Sequence, residues 1–238
     1  MGMTLAWKPQ PRQVAALRRA EKEVLYGGAR FGGKSEAGRA WLVEPSYLSN
    51  PRYQGLVIRK NATDLAEWIE KTRVFYHPIG ANITGNPPVI RFPAGGIVWL
   101  GHLKDESAYE KYQGWELHKI LVEELTQIPR ESDYEKLISS CRSTVPGLPP
   151  QVFCTANPGG PGHVWVKSRF QVNLPAYKAG HLKEICSGRG LQPLPAPTPH
   201  AFIPVHRTGH SAEFRNAGVR NSQTTPDSLE RLQPQRFW

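Results

Sequence analysis

Gly27-Gly28-Ala29-Arg30-Phe31-Gly32-Gly33-Lys34-Ser35 is the stretch on which the reading of this chain turns. From Gly28 to Ser35 it fits G-x-x-x-x-G-K-[ST], the pattern of a phosphate-binding loop. Glycines let successive backbone N–H groups turn inward with no Cβ in the way, which makes an anion nest. A helix beginning near Gly33 adds the positive end of its dipole. Lys34 then reaches the β- and γ-phosphates of a nucleotide, and Ser35 offers its hydroxyl to Mg2+. Gly28, Ala29, Arg30, Phe31, Gly32, Gly33, Lys34 and Ser35 are therefore the candidate phosphate site. A chance match in a chain of this length arises roughly one time in a hundred, so the flanks must decide. Val24-Leu25-Tyr26 predicts a short buried strand into the loop, and residues Ser35 to Val43 predict a helix out of it.

Upstream, Trp7-Lys8-Pro9-Gln10-Pro11-Arg12-Gln13 leads into a helical pattern through Val14, Leu17 and Ala20. Gln13 is a candidate for adenine recognition, because an amide pairs with both a donor and an acceptor on the base edge. A solvent-facing Gln is the alternative. Downstream, Tyr53 to Ile58 predicts a second apolar strand ending in Arg59-Lys60, and Thr63 to Val74 a helix. Arg59 and Lys60 read either as nucleic-acid contacts or as solvated loop charges. Val89 to Phe92 and Ile97 to Leu100, joined through Gly95-Gly96, predict a β-hairpin. The polar run from Lys104 to Gly114 predicts a helix followed by a loop.

Lys119-Ile120-Leu121-Val122-Glu123-Glu124-Leu125 is the next signal. Two adjacent carboxylates at the end of a buried strand are expensive to keep for packing alone. Paired with the phosphate loop, Glu123 reads as a Mg2+ ligand and Glu124 as the general base that polarises the attacking water. Residues Glu131 to Cys141 predict a further helix. Gln151-Val152-Phe153-Cys154 predicts a fourth strand, ending in Thr155-Ala156-Asn157, whose polar side chains would sense the γ-phosphate. His163 has no second ligand at metal spacing and reads as structural.

Composition sets the outer bounds. There are 30 Lys and Arg against 20 Asp and Glu in 238 residues, a net charge of +10. After Pro161 only Glu184, Glu213, Asp227 and Glu230 oppose ten basic residues. Such a surface attracts polyanions by counterion release, with nucleic acid a natural partner. Cys141, Cys154 and Cys186 make no disulfide or metal pattern, which suggests a reducing compartment. No secretory signal and no apolar run of membrane-spanning length is expected. Five prolines between Leu191 and Pro204 suggest an extended linker, and most of 187–238 is expected to lack order.

With these residues in view, the chain resembles the ATPase domain of a tailed-phage terminase large subunit. The likeness covers about residues 8–172. It lies in the phosphate loop, with Arg30 four positions before Lys34, and in Tyr112-Gln113-Gly114 followed by Ile120 to Gln127. Its most distinctive piece is Thr155-Ala156-Asn157-Pro158-Gly159-Gly160-Pro161-Gly162-His163, followed by Trp165-Val166-Lys167. The resemblance implies an α/β fold, a phosphate-loop NTPase of the RecA-like (ASCE) class with a mainly parallel central sheet flanked by helices. Residues 1–172 would form that domain and 173–238 a basic, Pro-rich tail.

It further implies an ATP-hydrolysing motor that uses Mg2+ and moves duplex DNA into a procapsid. Lys34 and Ser35 would hold phosphates and metal, Glu123 the metal, and Glu124 would act as base. Arg30 would touch the γ-phosphate, and Thr155, Ala156 and Asn157 would couple hydrolysis to movement. The implied partners are the phage portal protein, the small terminase subunit and further copies of the chain in a ring, in the cytoplasm of the bacterial host. Two departures stand out. Where the family often ends a helix with two arginines two apart, this chain has Ser140 and Arg142, leaving Arg142 as the candidate trans-acting arginine. Beyond Phe170 too few acidic residues remain for the ribonuclease-H-like nuclease of a full large subunit, so the resemblance implies a motor half alone or a disrupted one. A remnant that binds nucleotide or DNA without turnover, and another phosphate-loop ATPase such as a helicase, are the alternatives.

Overall fold

The computed structural model describes residues 7–28, 30, 32–103, 108–172 and 200–205. Eight strands form one sheet: β1 (Glu23–Gly28), β2 (Gln54–Arg59), β3 (Asn82–Thr84), β4 (Val89–Arg91), β5 (Ile97–His102), β6 (Lys119–Val122), β7 (Gln151–Ala156) and β8 (His200–Val205). Their spatial order is β3-β4-β5-β2-β6-β7-β1-β8. The pairs from β5 across to β8 are parallel, while β3, β4 and β5 are joined antiparallel. The predicted hairpin is the β4–β5 pair, with Ile90 opposite Val98. It extends one edge of a parallel sheet whose helices are α1 (Pro11–Leu17), ahead of β1, and then α2 (Lys34–Leu42), α3 (Pro45–Leu48), α4 (Asp64–Tyr76), α5 (Glu131–Ile138) and α6 (His163–Arg169) in the connections after it. This is the mixed α/β, mainly parallel architecture of RecA-like ATPases expected from the sequence. Within the run from Lys104 to Gly114, residues Ala108–Tyr112 form a 3-10 turn rather than an α-helix, and 104–107 lie outside the described residues.

Period-two alternation on buried strands sorts the apolar residues into two layers. Val24, Tyr26, Val57, Leu121 and Phe153 face α2 and α4, packing with Ala37, Trp41, Leu42, Leu65, Trp68 and Tyr76. Leu25, Leu56, Ile58, Ile120, Val122, Val152 and Cys154 face the other way, onto Tyr112, Leu125, Tyr134, Leu137 and Val166. Each such side chain, taken fully out of water, contributes about 1.5–3 kcal/mol. Cys141 and Cys154 are free and buried, as small core residues; Cys186 lies outside the described residues.

Two arginine-centred clusters fix helices in place. Arg39 of α2 is buried against α4, where its Nε donates to Thr72 Oγ1 at 2.9 Å and its guanidinium lies 5.0 Å from the Trp68 ring centre. Arg169 of α6 donates to both oxygens of buried Glu23 and to Glu131 of α5. The first cluster fixes the helix that leaves the phosphate loop. The second fixes the helix that follows Asn157.

Most of 187–238 was expected to lack order; all of it but His200–Val205 lies outside the described residues, and those six pair in parallel along all of β1, with Gly27 beside Pro204. Proline removes one ladder donor, which an edge strand tolerates. A Pro-rich composition therefore did not exclude a strand at the sheet's margin.

The segment after β7 is held by close backbone approach. Gly160 has φ +90, and a Cβ there would come within 2.6 Å of the Thr126 carbonyl oxygen. Gly162 donates its N–H to that same carbonyl at 2.8 Å. Gly160→Ala therefore combines a left-handed backbone with a backbone clash and is expected to cost at least about 2 kcal/mol. Denaturant unfolding checks this; an unchanged midpoint would mean that the loop does not depend on this approach.

Candidate nucleotide site

Open parallel sheets keep their sites at the carboxyl ends of the strands. Here β2, β6, β7 and β1 are consecutive neighbours, and their carboxyl ends bring Arg59, Glu123, Thr155 and the Gly28 loop to one edge. Because β7 lies between β1 and β6, the phosphate loop and the acidic pair are separated by one strand width on each side. That spacing leaves room over β7 for a phosphate chain and a metal.

The loop is closed by its own neighbours. Gly33 caps α2 in the left-handed conformation (φ +65), and Gln13 packs where a Cβ would stand. Gln13 Nε2 donates to the Gly33 carbonyl at 2.9 Å, and its Oε1 accepts from the Gln10 N–H at 2.7 Å. Both ends of this buried amide are therefore engaged within the protein. It is not solvent-facing. Tyr26 donates to the Gly32 carbonyl at 3.3 Å, and Lys34 Nζ donates to the Gly28 carbonyl at 3.3 Å. Burial lowers the Lys34 pKa, while Glu123 and Glu124 raise it and Arg30 lowers it further. Arg30 itself is exposed on the loop. Ala29 and Phe31 lie outside the described residues.

Across 88 residues of sequence, Ser35 Oγ donates to Glu123 Oε2 at 2.7 Å. The other oxygen, Glu123 Oε1, is buried without a hydrogen-bond partner among the described residues. A buried carboxylate oxygen with no donor is costly. A carboxylate and a hydroxyl are hard oxygen ligands that suit Mg2+. The residues thus fit the metal expected from the sequence.

Glu124 follows in an unusual backbone state, φ +57 and ψ +51, outside the regular strand. A non-glycine residue there costs on the order of 1–3 kcal/mol and persists when its surroundings over-determine it. The Glu124 N–H donates to Thr155 Oγ1 at 3.1 Å, and Gln127 N–H donates to the Glu124 carbonyl at 2.8 Å. The turn points the side chain away from the strand's own alternation and leaves it 40% exposed, next to the buried Glu123. One carboxylate is thereby kept dry and the other wet.

Thr155 and Ala156 are buried. Asn157 accepts from Thr126 Oγ1 through its backbone carbonyl at 3.0 Å, and its side-chain Oδ1 is buried with no partner among the described residues. Residues 124–126 and 155–157 are thus joined by two hydrogen bonds. Trp165 of α6 donates to the Ile128 carbonyl at 2.9 Å, carrying the connection onward. His163 accepts the Gly159 N–H at 3.2 Å and is structural; no cluster of metal-binding side chains occurs among the described residues.

Arg142 stands elsewhere. Its N–H donates to the Leu117 carbonyl, ahead of β6, and its guanidinium to the Gly114 carbonyl at 2.8 Å. Six residues of near-extended chain separate Leu117 from Glu123, about 20 Å, so Arg142 is out of reach of its own chain's site. Ser140 is buried and donates to the Tyr112 carbonyl. Arg59, read from the sequence as a nucleic-acid contact or a solvated charge, is instead turned into the site. Its guanidinium lies 3.5 Å from Glu123 Oε2 and 3.7 Å from Glu124 Oε1. Lys60 donates to the Leu103 carbonyl.

Strand order brings the glycine-rich loop and the acidic pair to one end of a mainly parallel sheet, and comparison with solved structures places the fold more closely. The chain has the fold of phage large-terminase ATPase domains. It superposes on the large terminase of a thermophilic bacteriophage, solved with ADP, at TM-score 0.56 and 18% identity, covering 82% of this chain and 44% of that one. The same terminase has also been solved with ATP-gamma-S. The Thermus phage P74-26 large-terminase ATPase domain matches at TM-score 0.54 and 17% identity, over 84% of this chain and 82% of that domain. The HK97 large terminase matches at TM-score 0.51 and 12% identity, over 70% and 38%. The chain thus spans less than half of the two whole terminases and most of the isolated ATPase domain. No protein-family model and no curated protein matches the chain. No helix among the described residues is long and apolar enough to cross a membrane.

Proposed function

We propose that this chain is the ATP-hydrolysing motor of a phage DNA-packaging machine, a terminase large-subunit ATPase that drives duplex DNA into a procapsid. The observation that carries the reading is the Ser35–Glu123 hydrogen bond at 2.7 Å, which joins the phosphate loop to the acidic strand. The fold shared with large-terminase ATPase domains supports it, and the net charge of +10 suits a polyanionic substrate.

In this reading the loop amides and Lys34 bind the phosphate chain, and Arg30 closes on the γ-phosphate. Ser35 and Glu123 would hold Mg2+, which would supply positive charge to offset that of the phosphate chain. Glu124 orients a water and takes its proton at the carboxylate. The water oxygen bonds to the γ-phosphorus as the bond to the bridging oxygen breaks, leaving ADP and phosphate. Such catalysis is positioning and charge stabilisation rather than covalent chemistry. Glu124 N–H is tied to Thr155, so a change at the γ-phosphate is transmitted to Thr155–Asn157 and then to the glycine-rich segment and α6. Arg142, exposed at the opposite end of the sheet, is available to a neighbouring copy in a ring, beside portal protein and small subunit.

The test is phosphate release from ATP and Mg2+ with increasing duplex DNA. Turnover that rises several-fold with DNA is expected. Nucleotide binding without phosphate release, with or without DNA, would replace the motor by a binding module.

A further inference from the structure

Alternate residues from the start of β6 onward meet one face of α2. Lys119 Nζ donates to the Trp41 carbonyl at 2.6 Å, Leu121 lies against Gly38, and Glu123 Oε2 accepts the Ser35 hydroxyl at 2.7 Å. Residues 119, 121 and 123 share one side of a strand, and 35, 38 and 41 share one side of a helix. Gly38 is the narrow point of this contact. It is buried in mid-helix, where glycine is less favourable than alanine. Its φ lies outside the left-handed region, so the backbone supplies no reason for a glycine. The neighbours do. A Cβ at this position would stand 2.9 and 3.0 Å from the two Leu121 methyls and 3.3 Å from Glu123 Oε1. That oxygen is buried with no hydrogen-bond partner among the described residues, while its twin is held by Ser35. Nor can the helix back away. Arg39 Nε donates to Thr72 of α4, Tyr76 donates to the Arg39 carbonyl at 2.7 Å, and Lys119 ties the far end of α2 to β6.

We propose that Gly38 is a positioning residue that makes room for a glutamate at position 123. Phosphate-loop NTPases carry an aspartate at the end of the acidic strand, one methylene shorter. The extra methylene carries the carboxylate toward α2, and the bare Cα of Gly38 is the space it uses. Gly38 and Glu123 are thus a matched pair. The glycine lets the longer acid turn one oxygen onto Ser35 and rest the other against the helix. A side chain at 38 closes that space and turns the carboxylate off Ser35, whereas an aspartate at 123 draws back and tolerates it. This inference rests on the metal-holding role proposed above for Ser35 and Glu123.

The experiment compares Gly38→Ala, Glu123→Asp and the double variant with the unaltered full chain, and repeats the set in a Leu121→Val background. Valine lacks the two methyls that the new Cβ would meet, so this background removes the clash with the strand and leaves the one with Glu123. ATP-gamma-S binding is titrated calorimetrically at graded Mg2+ and in EDTA, with denaturant unfolding of the nucleotide-free chain alongside. Gly38→Ala is expected to raise the Mg2+ concentration for half-maximal binding by about ten- to a hundredfold in either background, and to leave binding in EDTA little changed. Adding Glu123→Asp should recover most of that loss, a departure from additivity that reports direct coupling. If Gly38→Ala alone does not fold, the Leu121→Val background decides. Recovery by Leu121→Val instead of Glu123→Asp, or a Mg2+ midpoint that Gly38→Ala does not move, overturns the inference and leaves the glycine to packing. If the unaltered chain binds ATP-gamma-S no better with Mg2+ than in EDTA, the metal-holding role of Ser35 and Glu123 falls, and the pairing with Gly38 falls with it.

Discussion

Lys34→Ala is expected to abolish ATP hydrolysis, reducing turnover by at least about a hundred- to a thousandfold, the usual loss for one aimed electrostatic stabiliser. Three observations set the size of this effect. Lys34 is buried to 9% exposure at the first position of α2. Its amine donates into the loop, to the Gly28 carbonyl. Its charged form is opposed by burial and favoured by Glu123 and Glu124. In the proposed reading the lysine would supply positive charge where negative charge builds up on the transferred phosphoryl group. Its removal takes a desolvated cation out of the interior, so the fold is not expected to fail with the activity. Phosphate release and thermal unfolding on the same preparation separate the two. Hydrolysis at the unaltered rate would remove the loop from the chemistry.

Glu124→Gln is expected to keep nucleotide binding and lose turnover by about a hundred- to ten-thousandfold, the range spanned by a positioned general base. Glutamine has nearly the same shape and tolerates the same backbone. The contacts that hold this turn are the N–H to Thr155 Oγ1 and the carbonyl to Gln127 N–H, and neither uses the side chain. What disappears is the ability to accept a proton at the exposed carboxylate. The measurement pairs equilibrium binding of ATP-gamma-S with a single-turnover chase of phosphate. Undiminished single-turnover rate in the variant would take the role of base away from Glu124. Glu123→Gln is not an equivalent control, because Glu123 is buried and accepts the Ser35 hydroxyl.

Most of the core was legible because it is written locally. Val24-Leu25-Tyr26, Leu56-Val57-Ile58, Ile120-Leu121-Val122 and Val152-Phe153-Cys154 are short apolar runs bounded by turn residues. Such runs form strands buried on both faces almost regardless of what pairs with them. The phosphate loop was legible for the same reason, since its glycines answer a backbone requirement of the loop itself. Where residues were misread, the missing information was long-range. Gln13 allowed a solvent-facing reading, and only the packing of α1 on the loop buries its amide against Gly33 and Gln10. His200–Val205 lies in a Pro-rich stretch, and only its place at the edge of the sheet makes Pro204 tolerable. Arg59 looked like a charge ending a strand, which in most proteins is solvated.

By itself, then, the sequence determined the elements and the local chemistry: a phosphate loop, a buried strand ending in two acids, and a strand ending in Thr155-Ala156-Asn157. These depend on φ-permissive glycines, side-chain alternation and desolvation, all of which act within a few residues. Only the tertiary structure decided that β7 lies between β1 and β6, that Ser35 reaches Glu123 across 88 residues, and that β2 pairs with β6 in the register that delivers Arg59. Strand order and register are settled by which apolar faces can be covered together. A one-residue slip between β2 and β6 would turn Leu56 and Ile58 onto the wrong layer, and it would take Arg59 away from both carboxylates.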